Sequence, residues 1–267
     1  MSNTNPTVVL VVGPFDPSGS GNLPADAVTC AGLGAHALST ITAVHVQDTI
    51  STEDIQLMPA ELIDDQARCL LEDMNIQAIK VSGLYSIESV QVLAQIAADY
   101  AHVPLVLHLE ALPDTTILED EDPDDIMAAL FELLLPQTDL VLAEHSLIAH
   151  WKADGPLQRT SADSPAQALL EHGAQWVLST GFPIRPGQSA YLLHGPEQAT
   201  FNWKRPAPPP THSSNANGPL SCALTIELGK GVAMPKAVEN ALVLAGPLAA
   251  NTFQPGMGSR LINRSTT

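Results

Sequence analysis

The stretch Asp16-Pro17-Ser18-Gly19-Ser20-Gly21-Asn22-Leu23-Pro24-Ala25-Asp26 decides the fold because of the sequence on either side of it. The apolar run Val8-Val9-Leu10-Val11-Val12-Gly13 precedes it, and a segment of small residues that ends near Gly34 follows it. This order predicts a buried strand, a turn rich in glycine, proline and serine, and then a helix. Such a unit places its turn at the carboxyl end of a parallel sheet, where glycines admit a ligand and helix amides favour polar or anionic groups. The stretch is a candidate binding loop.

The composition favours helices packed on a parallel sheet. Of the 267 residues, 45% are hydrophobic but only 4% are aromatic, and alanine, leucine, isoleucine and valine supply most of the apolar surface. This balance is typical of α/β proteins rather than of aromatic-rich β-sandwiches. The length is sufficient for one large core, so we expect one domain over residues 1–267.

The charge and the cysteines indicate where the protein works. A net charge of −18 argues against nucleic acid and against anionic membrane surfaces, because both require clustered lysine and arginine. No apolar run reaches the roughly 18 residues of a membrane span, and no basic segment precedes the first strand. Cys30, Cys69 and Cys222 fit neither a metal site nor a disulfide framework, and the first two lie in helical patterns that predict burial. We therefore expect a cytoplasmic protein with neither nucleic-acid nor membrane partners.

Strand and helix patterns alternate along the chain. Strands are predicted at residues 7–13, 36–46, 78–82, 104–109, 138–143 and 176–180, and helices at residues 22–34, 58–74, 87–100, 125–135, 146–151, 165–172, 218–229 and 235–252. Residues 189–194 and 199–204 flank Gly195-Pro196 and predict an antiparallel pair. Repeated strand–helix units with a late hairpin indicate an α/β fold with a mainly parallel sheet.

Several motifs together resemble one family. They are Asp16-Pro17-Ser18-Gly19, then Ala25-Asp26, then Ile41-Thr42-Ala43 at a strand end, and then Gln47-Asp48-Thr49. In this order and spacing the chain resembles the ribokinase-like hydroxymethylpyrimidine and phosphomethylpyrimidine kinases of thiamine biosynthesis. The resemblance runs from about Val8 to Arg264. It implies a three-layer α/β/α fold with a mainly parallel sheet and a late β-hairpin, ATP and Mg²⁺ as cofactors of an active enzyme, and a homodimer.

The resemblance also implies a substrate site. In such kinases the aspartate of the Ala-Asp pair and the glutamine after the second strand recognise the aminopyrimidine, and Asp26 and Gln47 occupy those positions. A carboxylate accepts from an exocyclic amine, while an amide both donates and accepts. Asp16, Ser18 and Gly19 of the loop complete the predicted pyrimidine-binding set. The competing interpretation is that Asp26 and Gln47 are ordinary polar residues of a helix face and a strand end.

The segment that should complete the chemistry departs from the family. Its anion hole and catalytic cysteine, Gly-Thr/Ser-Gly-Cys-Thr-Leu, align with Asn215-Ala216-Asn217-Gly218-Pro219-Leu220. Asparagine tolerates positive φ better than other side chains do, so the turn is compatible with both substitutions. Gly218 has no side chain to act as a base, and Pro219 removes one amide from the helix start. A working kinase would have to recruit His212 or Glu144, since Cys222 lies a helical turn further on.

Other family positions also differ. A strand aspartate becomes His108, a glutamate that helps to hold Mg²⁺ becomes Leu147, and a methionine over the pyrimidine becomes Gly83. Glu144 remains as a candidate ligand for a hydrated Mg²⁺. The glycine just after the loop's Gly-Gly pair becomes Asn22.

Three functions follow from these observations. The first is ATP-dependent phosphorylation of hydroxymethylpyrimidine or its phosphate, with activity that we expect to be very low or undetectable because phosphate handling and the base are altered. The second is non-catalytic or regulatory binding of a pyrimidine-like heterocycle. The third is phosphorylation of another vitamin-like alcohol such as pyridoxal.

Overall fold

The computed structural model describes residues 5–118, 121–158, 160–205 and 217–265. In this part of the chain the strands are β1 (Thr7–Phe15), β2 (Ala35–Gln47), β3 (Thr52–Leu57), β4 (Ala78–Ser82), β5 (Leu105–Leu109), β6 (Leu140–Glu144), β7 (Trp176–Arg185), β8 (Gln188–His194), β9 (Thr200–Arg205), β10 (Thr252–Phe253) and β11 (Leu261–Ile262). The first nine form one sheet in the order β3-β2-β1-β4-β5-β6-β7-β8-β9. β2, β1, β4, β5, β6 and β7 are parallel, whereas β3, β8 and β9 pair in antiparallel fashion at the two edges.

Helices cover both faces of this sheet. They are α1 (Asn22–Gly32), α2 (Ala60–Asp73), α3 (Ile87–Asp99), α4 (Pro123–Ala129), α5 (His145–Asp154), α6 (Pro165–Glu171), α7 (Gly218–Gly229) and α8 (Met234–Ala250). α4 continues as one turn of π-helix at Leu130–Leu134 and then as a turn of 3-10 helix at Leu135–Gln137.

The alternation of side chains along β1 explains the two apolar layers. Leu10 and Val12 pack in the core that contains α2, α3, α4, α5 and α6. Val9 and Val11 point to the other face, where they pack with α1 and α7. All four side chains are at most 1% exposed. Continuous apolar character is what a central parallel strand requires, because successive side chains enter opposite layers.

α7 is the most buried helix among those described. Every residue from Gly218 to Leu228 is buried, and the helix contacts α1, α8, β1, β4 and β5. A helix that is apolar on nearly all sides belongs in the interior. Its amino end lies beside the carboxyl ends of the central strands, and this is the position from which it contributes to a site.

The predicted fold class is confirmed: the sheet is mainly parallel, helices lie on both faces, and residues 188–205 form the late hairpin. The prediction missed β3, and it ended β7 at residue 180 although the strand continues to Arg185. The expectation that Cys69 is buried is wrong, because it lies on an exposed position of α2, whereas Cys30 and Cys222 are buried. Within the described residues, no helix combines the length and the apolarity needed to cross a membrane.

Candidate functional site

The loop between β1 and α1 is organised by Asp16. Its buried carboxylate accepts hydrogen bonds from the Ser18 amide at 2.8 Å, the Ser18 hydroxyl at 2.7 Å, the Ser20 hydroxyl at 2.6 Å and the Gly21 amide at 3.0 Å. Burial alone would raise the pKa of Asp16, but these hydrogen bonds lower it overall. Gly19 adopts a φ of +66° that allows the chain to turn. Asp16 and Ser18 thus shape the loop, and their direct contact with a substrate stays a prediction.

Asp26 forms a buried ion pair with Lys80 of β4. The two side chains are only 3% and 2% exposed, and the other carboxylate oxygen of Asp26 accepts a hydrogen bond from the Cys222 thiol at 3.2 Å. Burial alone would lower the pKa of Lys80, but the Asp26 carboxylate raises it overall. A hydrogen bond to Cys30, together with burial, raises the pKa of the Cys222 thiol. Asp26 is thus buried and engaged by two partners, and its contact with a heterocycle stays a prediction.

Gln47 lies at the carboxyl end of β2, where its side-chain oxygen is already engaged. Oε1 accepts from the Thr52 hydroxyl at 2.9 Å and lies 3.0 Å from Nδ1 of His45. The ring of His45 in turn stacks on Tyr85, with centroids 5.7 Å apart. The amide nitrogen of Gln47 is the part of the side chain that remains for a ligand, and its recognition of a pyrimidine stays a prediction.

The family methionine over the pyrimidine has no equivalent side chain at Gly83. This residue has a φ of +57°, and an added Cβ would lie 2.5 Å from Cδ of Pro14 and 3.0 Å from the Tyr85 hydroxyl. A side chain is thus excluded there by both backbone conformation and space. Tyr85, two residues later, is the large side chain at this point of the site.

A cavity of about 410 Å³ opens at the carboxyl ends of β5 and β6. This volume is typical of small-molecule sites. The sequence predicts a pocket at this edge of the sheet that is bordered by residues 16–26, Gln47 and residues 213–219. Of these borders, Asn217 lines the cavity, whereas the binding loop and Gln47 do not. The cavity is lined by His108, Leu109, Glu110, Ala111, Glu144, Ser146, Leu147 and Asn217.

Two titratable side chains at the end of β5 face each other in this cavity. Nε2 of His108 lies 3.9 Å from Oε1 of Glu110. Burial, with a further contribution from the Lys80 ammonium, lowers the pKa of His108 to about 3, so its ring is neutral at pH 7. Burial raises the pKa of Glu110 even though 37% of its side chain remains exposed. The site thus contains a neutral imidazole and a carboxyl group of weakened acidity.

The described part of the predicted anion hole begins at Asn217. Its Nδ2 donates to the Thr180 hydroxyl at 3.1 Å, which ties the start of α7 to β7. Its φ is −87°, so this asparagine does not adopt the left-handed conformation that we considered for it, whereas Asn22 at the start of α1 does, with a φ of +56°. Gly218 follows without a side chain, as the sequence requires. His212, Asn215 and Ala216 lie outside the described residues.

Glu144 reaches the same edge of the sheet from β6. An added Cβ on Gly181 would lie 3.9 Å from Oε1 of Glu144 and 2.8 Å from an Nη atom of Arg205. A carboxylate and a guanidinium therefore lie near Gly181, in the middle of β7. Among the described residues, no three His, Cys, Asp or Glu side chains converge as a metal site. Glu144 as a Mg²⁺ ligand stays a prediction, and it would act with water and substrate phosphates as its partners.

Sequence reasoning did not select Glu110, Arg205 or Arg264. Glu110 had one usable signal, since it directly follows the buried strand β5. Arg264 had no usable signal in the sequence, because its partners are 245 and 244 residues away. Its guanidinium donates to the carbonyl oxygens of Gly19 and Ser20, each at 3.2 Å. Only the folded chain shows that the C-terminal segment contacts the binding loop.

Comparisons with known proteins agree with this geometry. The profile of the phosphomethylpyrimidine kinase family matches residues 16–263. The hydroxymethylpyrimidine/phosphomethylpyrimidine kinase of Mycobacterium leprae is 28% identical over 245 residues, which are 88% of this chain and 85% of that protein. Two solved structures share the fold. Pyridoxal kinase of Bacillus subtilis has a TM-score of 0.81 at 16% identity, covering 97% of this chain and 98% of its own. Phosphomethylpyrimidine kinase of Clostridium difficile has a TM-score of 0.71 at 20% identity, covering 90% and 98%.

The region matched by the family profile contains the binding loop, the residues that line the cavity and the start of α7. It begins at Asp16, which organises the binding loop, and extends beyond α7 into the C-terminal segment. The resemblance seen in the sequence, the three-layer fold and the profile match agree. The chain belongs to the phosphomethylpyrimidine kinase family.

Proposed function

We propose that this chain binds hydroxymethylpyrimidine or its phosphate at the carboxyl edge of the sheet and phosphorylates it from ATP at a strongly reduced rate. The observation that carries the proposal is the contrast between the cavity and the start of α7. The cavity has the volume of a small-molecule site and retains polar side chains. Gly218 and Pro219, by contrast, supply neither a proton acceptor nor a full set of helix amides.

The expected loss of rate follows from how phosphoryl transfer is catalysed. Positioning and charge stabilisation do most of the work in this reaction. Loss of a general base typically costs about 10²–10⁴ in rate, and removal of one oxyanion-type donor costs roughly 10²–10³. These losses do not add, because the groups act as a unit. The buried thiol of Cys222 is not a replacement, since its pKa is raised and it donates a hydrogen bond to Asp26.

ATP and Mg²⁺ are the cofactors that this proposal requires. Bacillus subtilis pyridoxal kinase was solved as an ADP complex, and Staphylococcus aureus pyridoxal kinase was solved with AMP-PCP and pyridoxal. In this chain Asn217 and the first turn of α7 would face the phosphates, and Glu144 would hold a hydrated Mg²⁺ that neutralises phosphate charge. The donor set fits a cation bound mainly through phosphates, because Mg²⁺ at such sites keeps several waters.

The test is a coupled ADP-release assay with hydroxymethylpyrimidine and ATP-Mg²⁺. We expect very low turnover by the natural chain. The combined variant Asn215→Gly, Asn217→Gly, Gly218→Cys and Pro219→Thr restores the glycines, the cysteine and the threonine of the family segment, and we expect it to raise kcat by at least about 10². Robust turnover by the natural chain, with no gain in the restored variant, would contradict the proposed loss of rate and would indicate that another residue, such as His212, serves as the base.

Phosphorylation of pyridoxal is a second candidate function. The observation that favours it is the similarity of the fold to pyridoxal kinases, with a TM-score of 0.82 for the Staphylococcus aureus enzyme in complex with ADP. The same assay with pyridoxal in place of the pyrimidine separates the two candidates. We further propose that the chain is cytoplasmic and forms a homodimer. Light scattering of the purified chain measures its mass in solution and so tests the homodimer.

A further inference from the structure

Glu110 occupies the junction of two cavities at the end of β5. On one side it lines the cavity of about 410 Å³ that also contains Glu144 and Asn217. On the other side it lines a small pocket of about 30 Å³ that also contains Gly83 and Tyr85. The side chain thus lies between the end of the binding region near Tyr85 and the start of α7. The larger cavity has the volume of a small-molecule site, whereas the small pocket has room for little more than a water-sized group.

The two aspartates expected to hold a ring, Asp16 and Asp26, are already engaged. The carboxylate of Asp16 accepts four hydrogen bonds within its own loop. That of Asp26 is paired with Lys80 and with the Cys222 thiol. Oε1 of Glu110 lies 3.9 Å from Nε2 of His108, beyond the distance of a direct hydrogen bond. With 37% of its surface exposed, the side chain of Glu110 has room for a ligand.

Charged and titratable groups from several elements surround this carboxyl group. Burial raises its pKa, Lys80 and His45 oppose the increase, and Asp26 adds to it. Glu110 itself contributes to the raised pKa of Tyr85. Asp26 of α1, His45 of β2, Lys80 of β4 and Tyr85 after β4 interact with it electrostatically. His108 of β5 lies 3.9 Å from it, and Glu144 lines the same cavity. A protonated carboxyl group both donates and accepts, whereas an ionised one only accepts.

We propose that Glu110 selects the heterocycle by pairing with a ring nitrogen and the exocyclic amine beside it. One oxygen accepts from the amine, and one proton is shared between the other oxygen and the ring nitrogen. An aminopyrimidine alcohol presents this edge, whereas pyridoxal has no amine next to its ring nitrogen. The inference rests on the proposed function and names the residue that decides which ring the site takes.

Calorimetric titration of the full chain, without nucleotide, tests this role independently of turnover. The probes are hydroxymethylpyrimidine, its analogue without the amine, and pyridoxal. Hydrogen bonds to charged groups are worth about 1.5–3 kcal/mol, so we expect a preference of roughly 10- to 150-fold for the amine-bearing ring. Glu110→Leu should abolish this preference. Glu239→Leu, on an exposed position of α8, is the matched control and should retain it.

Glu110→Gln gives the readout that a merely structural role would not produce. An amide both donates and accepts, so this variant should retain the preference for the amine near neutral pH. In the natural chain, affinity should fall as pH rises, because the pair loses its shared proton and a carboxylate then faces the lone pair of the ring nitrogen. In Glu110→Gln this decrease should be absent. Thermal unfolding shows whether Glu110→Leu folds. If it does not, the pH dependence of affinity in the natural chain and in Glu110→Gln still tests the inference.

The outcomes separate the inference from the proposed function. If the natural chain binds neither pyrimidine, the proposed function fails and the inference fails with it. If it binds the amine-bearing ring and Glu110→Leu retains the preference, or if Glu110→Gln keeps the natural pH dependence, the inference alone is overturned. Tighter binding of pyridoxal than of hydroxymethylpyrimidine by the natural chain also contradicts it.

Discussion

The ion pair between Asp26 and Lys80 joins α1 to β4 beneath α7, and both side chains are nearly inaccessible to water. Removal of one partner leaves the other charge buried without compensation, which typically costs 3–5 kcal/mol. We expect Lys80→Met to lower the free energy of unfolding by about this amount, and Tm by roughly 10 °C. Urea and thermal denaturation measure both quantities.

The double variant Asp26→Leu with Lys80→Met is the control, because it removes both charges together. Replacement of a buried pair by apolar groups is often neutral, so this variant should recover most of the lost stability. A single variant that unfolds like the natural chain would mean that water reaches Lys80 and that the pair is more open than its burial indicates.

His108 links stability to pH at the scale of a single side chain. Its pKa falls from 6.5 to about 3 on folding, so the unfolded chain binds more protons between these values. The free energy of unfolding therefore decreases as pH falls below about 6.5. Above pH 6.5 the imidazole is neutral in both states, so His108 no longer changes the free energy of unfolding with pH. We expect His108→Leu to reduce the acid-side slope, as measured by urea denaturation from pH 7 to pH 4. An unchanged slope would assign acid sensitivity to other groups.

At the scale of elements, the C-terminal segment, residues 256–264, contacts both the turn after β2 and the binding loop. We call this segment the C-terminal strap. The amide of Gly258 donates to the Thr49 hydroxyl at 3.2 Å, and Arg264 donates to the hydroxyl of Thr29 at 3.1 Å and to two carbonyl oxygens of the binding loop. An added Cβ on Gly258 would lie 1.9 Å from the backbone oxygen of Thr49. We expect Gly258→Ala to displace the C-terminal strap from Thr49 and to weaken its contacts with the binding loop. Hydrogen–deuterium exchange should then show faster exchange of the backbone amides in residues 16–21.

A second glycine provides the control for this prediction. Gly246, within α8, has open space around the position of an added Cβ. Because Pro247 follows, a Cβ at position 246 crowds the proline ring, so Gly246→Ala is a control for loop exchange alone, which should remain as in the natural chain. Equal loop exchange in Gly258→Ala and the natural chain would contradict the role of the C-terminal strap.

The net charge of −18 acts on the whole molecule. Self-repulsion of like charges disfavours the compact state, and salt screens it over a Debye length of about 10 Å at 0.1 M. We therefore expect Tm to rise between low salt and about 0.5 M NaCl. Glu72→Lys and Asp73→Lys reverse two exposed charges at the C-terminal end of α2, where anions also oppose the helix dipole, and should raise Tm most at low salt. A Tm independent of salt would show that repulsion is negligible.

Much of the fold was predictable because it depends on neighbours in the chain. The predicted bounds 78–82 and 218–229 are those of β4 and α7, since runs of apolar residues between clear breaks define both elements. β3 was not predictable in this way. Its sequence Thr-Glu-Asp-Ile-Gln-Leu is mostly polar and lies at the edge of the sheet, where only pairing with β2 defines it as a strand.

The sequence by itself determined the order of elements, the binding loop at the end of β1 and the absence of a side chain at Gly218, because each depends on local pattern or residue identity. Tertiary structure alone decided which polar side chains of the candidate site already have partners and which remain open to a ligand. Asp26 meets Lys80 from 54 positions away, and Arg264 reaches the loop from the far end of the chain. Glu110, by contrast, is left facing two cavities. These contacts join segments that only the strand crossovers bring together, and local periodicity carries no information about such distant partners.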